Sequence, residues 1–146
     1  MIDLAAVIDM STCPIGDDAF IASCRDQLDR KGVITIPGFI QPEALTGLVA
    51  EAEAEKANAF FTTSTHNAYL TPARDDLPPT HVLNRQITSS KGCITTDQVP
   101  SVSALHTIYD SDSFRRFLAA IVAEDTLYEY ADPLSSINVH FADEGQ

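Results

Sequence analysis

"SSINVHFADEGQ" (residues 135–146) decides how the rest of this chain is read. Ile137, Val139 and Phe141 alternate with Ser136, Asn138 and His140. That is the period-two pattern of a strand with one apolar and one polar face. Two acids and then Gly145-Gln146 read as a turn after the strand. A strand leaves a row of unpaired backbone groups on any edge that has no neighbour. One nearby segment, "TLYEYADP" (126–133), also reads as a strand, and Asp132-Pro133 makes the turn between the two.

Toward the N-terminus the apolar period changes from 2.0 to 3.6. Phe20, Ile21, Cys24 and Leu28 form one stripe of a helix over Asp18–Arg30. Asp17 or Asp18 suits its N-cap, and Gly32 suits the left-handed position that closes it. "VITIP" (33–37) then predicts a short strand ended by Pro37-Gly38. Pro42 and Glu43 open a second helix, expected to run to Ala59. Its buried stripe would be Leu45, Leu48, Val49 and Ala52, with Glu51, Glu53, Glu55 and Lys56 facing water. Residues 62–100 read as a long ordered loop with a possible strand in "HVLNRQITSS" (81–90), and such loops are often functional. "SVSALHTIYDSDSFRRFLAAIVAED" (101–125) predicts two short helices broken near Asp110-Ser111-Asp112, the second buried through Phe114, Phe117, Leu118 and Ile121. A helical front half with a small sheet near Leu127–Phe141 is an α+β arrangement. Two or three short strands make a marginal sheet.

The 146 residues suit a single domain, 1–146, and are 45% hydrophobic. The formal charge is −12, from 21 acids against 9 Lys and Arg. Nucleic-acid phosphates and anionic lipid call for a basic surface, so neither is an expected partner. No apolar run approaches the roughly 18 residues of a membrane span. Cys13, Cys24 and Cys93 form no CxxC pair and are simplest as reduced packing thiols of a cytoplasmic protein. A hydrolase elbow (G-x-S-x-G) and a glycine-rich phosphate loop are both missing from the sequence.

Two stretches carry a family resemblance. "KGVITIPGFIQPEALTGLVAEAEA" resembles the opening of Fe(II)/2-oxoglutarate-dependent oxygenases of the phytanoyl-CoA hydroxylase-like kind. "YEYADPLSSINVHFADEGQ" is similar to the segment before the iron-binding motif of the free amino-acid halogenases and hydroxylases, the free-lysine chlorinases among them. The resemblance implies a helical front half joined to the first strands of an incomplete double-stranded β-helix, or jelly-roll, barrel. It implies Fe(II) and 2-oxoglutarate as cofactors and a small-molecule substrate, a free amino acid. The ligand motif of such enzymes is His-x-Asp/Glu, or His-x-Gly/Ala in halogenases. His66, His81, His106 and His140 are followed by Asn-Ala, Val-Leu, Thr-Ile and Phe-Ala, so none matches. The expectation is therefore that this chain alone does not bind iron in the family's manner. It would self-associate, or await a chain that completes the sheet. The alternative is a non-catalytic remnant or a binding module.

Within that resemblance four residues are pocket candidates. Arg85 is placed to grip a substrate carboxylate, against a plain surface salt bridge. Asp132, with Glu129, is placed to receive an ammonium group, against an Asx-turn with Pro133. Asn138 and His140 share the polar face of the last strand and would line the oxoglutarate or substrate pocket, against a hydrogen-bonded polar pair. His140 with Asp143 is a weak chelating pair, because a spacing of three on a strand points the side chains apart.

Overall fold

The computed structural model describes residues 3–142. Helix α1 (Leu4–Val7) is capped by the Asp3 carboxylate, which accepts from the Ala5 amide. Helix α2 (Asp18–Lys31) starts where its cap residue predicts. Asp17 Oδ1 accepts from the Phe20 amide at 2.8 Å, and Gly32 ends the helix at φ 68°. Helix α3 (Pro42–Glu55) begins on its proline and runs into a 3-10 turn at Lys56–Asn58, four residues short of the predicted stretch. Helices α4 (Ala104–Tyr109) and α5 (Asp112–Ile121) are separated at Asp110-Ser111, where the Ser111 hydroxyl accepts from the Phe114 amide.

The sheet has three antiparallel strands in the order β1 (Phe60–His66), β2 (Ile87–Ile94) and β3 (Val139–Phe141). Phe60 pairs with Cys93 and His66 with Ile87; Cys93 also pairs with His140 and Ile94 with Val139. The chain is thus a mixed helix-and-strand fold with a small antiparallel sheet. Among the described residues no helix is long and apolar enough to cross a membrane.

Several expectations are corrected. Residues 33–36 form no strand and join no ladder. The bridge in that region is Ile8 with Ile40, where Asp9 N–H donates to Phe39 and Gln41 N–H to Val7. Residues 60–66, largely assigned to a loop, are a strand, and the ladder of β2 begins at Ile87 rather than at His81. "TLYEYADP" is irregular. Its Tyr130 amide donates to the Tyr109 hydroxyl and its Glu129 pairs with Arg115, so its polar groups go to α4 and α5 instead of a ladder.

Helix α3 is rotated from its predicted setting. Ala44, Leu48, Glu51, Ala52 and Glu55 are its half-buried residues, whereas Leu45 and Val49 are more than half exposed. In this setting Glu51 faces inward, and its carboxylate accepts a 2.6 Å hydrogen bond from the Ser103 hydroxyl. Ser103 is 1% exposed and caps α4, so this contact ties the two helices together over the sheet.

Two apolar clusters result. Ile8, Ile15, Cys24, Phe117 and Ile121 are buried between α2 and α5, with Phe20, Phe39 and Phe114 around the Phe117 ring. Leu118, predicted to be buried with them, is 36% exposed. Arg25 crosses between the helices and donates to the Ala120 carbonyl. The second cluster is Ile94, Val99 and Ile137, packed by Leu105, Tyr109 and Phe141.

The segment 67–86 is ordered by two buried asparagines. Asn67 donates to the carbonyls of Thr71 and Leu83 and accepts from the amides of Tyr69 and Thr71. Asn84 donates to the carbonyls of Arg74 and Leu77 and accepts from the Arg74 amide. Buried side-chain amides bonded in this way stand in for the regular secondary structure that the segment lacks.

Candidate functional site

The sheet is one-sided at β3 and the adjoining end of β2. Ile94, Val139 and Phe141 point toward α3 and α4. Cys93 and His140 point away from the helices, and Asn138 is exposed with them. Period-two alternation produces this split, as the sequence predicts for residues 136–141.

Of the four pocket candidates, the structure brings two together. Asn138 and His140 sit two residues apart on the end of β3. Cys93 lies directly across from His140 on β2 and donates its thiol hydrogen bond to Asn138 Oδ1 at 3.4 Å. The Asn138 amide is itself anchored to the Ser135 carbonyl at 2.9 Å. Cys93 was expected only as a packing residue. The signal that places it here is register, which a single sequence does not display.

Arg85 is elsewhere. It is exposed just before β2 and forms no salt bridge among the described residues. Between Ile87 and Cys93 the strand rises about 20 Å at roughly 3.3 Å per residue, so Arg85 lies at the far end of β2 from His140. Asp132 forms the turn that its plainer alternative describes. Its carboxylate accepts from the Leu134 amide at 2.9 Å and from the Ser135 hydroxyl at 2.7 Å. These bonds, the Leu134 amide first, hold its carboxyl below the usual range. Glu129, named with Asp132 for a substrate ammonium, is held by Arg115 at 2.8 Å. Asp143 lies outside the described residues.

The loop histidines make local contacts. His66 Nδ1 is 3.1 Å from the Asn67 carbonyl, and His81 Nδ1 accepts from the Leu83 amide. The buried thiols of Cys13 and Cys24 are pushed up by burial first, and each then by a neighbour: Asp9 for Cys13, Cys13 for Cys24.

A second concave feature was not anticipated from the sequence. An open cleft of about 720 Å³ lies between the start of α1 and the outer side of α4. Asp3, Val102, His106, Thr107 and Asp110 line it, and His106 Nδ1 is 3.6 Å from Asp110 Oδ2. The only trace in the sequence is the i, i+4 spacing of His106 and Asp110, which puts both on one side of a helix.

The donor groups around His140 do not fit a facial triad. Beside His140 stand a thiol and an amide rather than a second imidazole and a carboxylate. Among the described residues no three His, Cys, Asp or Glu side chains converge on a metal-sized site. Comparison with protein families, curated proteins and solved structures finds no match to this chain.

Proposed function

We propose that this chain forms the helical front and first strands of an Fe(II)/2-oxoglutarate-dependent oxygenase barrel, a hydroxylase or halogenase acting on a small molecule of the free amino-acid class. The observation that carries the reading is the one-sided sheet. At β3 and the end of β2, Ile94, Val139 and Phe141 are packed under the helical layer, while Asn138 and His140 are exposed on the other face; β1 is exposed on both. A jelly roll stacks two sheets about 10 Å apart, and an uncovered polar face next to a covered apolar one suits the inner wall of such a cavity. In this reading the iron ligands and the oxoglutarate-binding group come from polypeptide other than residues 3–142. Asn138 and His140 line the pocket, and the bare edges of β1 and β3 receive the completing strands.

The test is anaerobic titration of the full gene product with Fe(II) and 2-oxoglutarate. The expected result is a metal-to-ligand charge-transfer band, with decarboxylation of oxoglutarate when O₂ is admitted. A full product that gives neither overturns the reading. Residues 1–146 alone are expected to give no band. A one-to-one band from them would show that the iron ligands lie within this chain.

A small-molecule binding module is the second reading, and the cleft at His106 and Asp110 favours it. Its volume falls in the range of about 300–1,000 Å³ typical of ligand sites. Two carboxylates, Asp3 and Asp110, suit an ammonium-bearing ligand. Thermal stabilisation of residues 1–146 by free amino acids, lost in Asp110→Asn, would support it.

A further inference from the structure

We propose that Cys93 and His140 form a two-residue chelating pair for a thiophilic divalent cation of the zinc class on the open face of the sheet. The pair is set by register. Cys93 and His140 are direct cross-strand partners, so their side chains leave the same face with Cβ atoms about 4.5–5.5 Å apart. Zinc sits about 2.3 Å from a thiolate sulfur and about 2.0–2.1 Å from an imidazole nitrogen, which places the two donor atoms about 3.6 Å apart in a tetrahedral site. Side chains of this length span that gap from facing positions without moving the backbone.

The thiol is already turned toward β3. It donates to Asn138 Oδ1 at 3.4 Å, and Asn138 is held in place by Ser135. On binding, the thiol proton passes to solvent, the sulfur's bond to Asn138 Oδ1 is replaced by a sulfur–metal bond, and the neutral imidazole donates its lone pair. One proton is released per ion bound, and charge balances. Water fills the remaining positions, with the Asn138 oxygen adjacent. Sulfur and nitrogen donors select zinc-like ions over magnesium or calcium, which take oxygen. Cys13 and Cys24 do not compete on these terms, because both are buried in the helical cluster. The pair lies on the face that the oxygenase reading assigns to the cavity, but its two donors belong to this chain and its test uses neither iron nor oxoglutarate.

The experiment is anaerobic titration of the reduced chain with Co²⁺ and then Zn²⁺, without oxoglutarate. Wild type should give one thiolate-to-cobalt charge-transfer band, displaced by Zn²⁺, with release of one proton. Zn²⁺ should also protect Cys93 from iodoacetamide, read by peptide mass spectrometry. Cys93→Ser should abolish the band. His140→Gln should weaken binding by about tenfold or more, since even groups one shell out from a metal are worth about 10–100-fold. His140 is exposed, so that variant should keep its far-UV circular dichroism and its fold. A missing band in wild type overturns the proposal. So does a band of undiminished affinity in His140→Gln, or protection of Cys13 or Cys24 in place of Cys93.

Discussion

Replacing Phe117 by alanine should cost this protein much of its stability, and the structure supplies both the size of the loss and its control. Phe117 is 2% exposed. Its ring centroid lies 5.9 Å from that of Phe20, 6.3 Å from Phe114 and 6.5 Å from Phe39. Truncating a buried phenylalanine removes its transfer free energy and leaves a cavity, together about 3–5 kcal/mol. That is a large share of the roughly 5–15 kcal/mol that holds a domain together. Phe61→Ala deletes the same atoms at a site that is 57% exposed, where the ring sits beside Gly92. Its cost should stay near or below about 1 kcal/mol, as for most surface substitutions. Urea denaturation followed by circular dichroism reads the difference. At about 1–3 kcal/mol per molar of urea, the Phe117→Ala midpoint should fall by roughly 1–5 M and that of Phe61→Ala by less than about 1 M. If Phe117→Ala is too unstable to purify, Phe117→Leu keeps the comparison open at a cost of about 1–2 kcal/mol. Equal midpoints for the two alanine variants would refute the placement of Phe117 at the centre of the helical cluster.

Asp132 has its carboxyl held down by the Leu134 amide and the Ser135 hydroxyl, so its ionised form favours the fold. That contribution is present above its ordinary value of 3.8 and fades as pH falls through the lowered folded value. Asp132→Asn should therefore flatten the acid limb of a stability–pH curve below about pH 4, and an unchanged limb would count against the turn. Asn84→Ala strips hydrogen bonds from Arg74 and Leu77 and should loosen segment 67–86 by about 2–3 kcal/mol, seen as faster amide exchange and proteolysis confined to that segment. The outer edge of β1 has no charged residue, so the chain alone should self-associate with rising concentration in light scattering, and Thr63→Lys should suppress this. A stable monomer with strong exchange protection across Ile137–Phe141 would remove the half-barrel from consideration.

Legibility in the sequence followed whether the determinant was local. Asp17, Gly32, Pro42 and Ser111 act within one helical turn, so the ends they set are readable from neighbouring residues. The alternation of Ile137 to Phe141 was readable for the same reason. Strand β1 was not, because "FFTTSTH" has no apolar alternation and is exposed along almost its whole length. It is a strand because β2 supplies its hydrogen bonds. The setting of α3 places Glu51 against Ser103, 52 residues away, a contact that helical periodicity does not encode. At the site, Asn138 and His140 were legible as one face. Their neighbour Cys93 was hidden in the register; Arg85 lies at the far end of β2, and the Asp132 carboxylate is taken up in its own turn, linked to Asn138 only through Ser135.

The contact of Phe39 with Phe117 also has a consequence during synthesis. The N-terminal helices emerge first, but the ring that completes their cluster is 78 residues behind Phe39 in the chain (117 − 39). At roughly 5–20 residues per second, Phe39 leaves the ribosome about 4–16 s before Phe117 does, and Phe20 earlier still. For that interval the nascent chain carries two unsheltered aromatic rings together with the uncharged β1 segment. Newly made copies are therefore most exposed to holdase chaperones and to clumping on crowded polysomes before α5 arrives. Slowing translation before Asp112 should lower the soluble yield more than slowing it after Ile121.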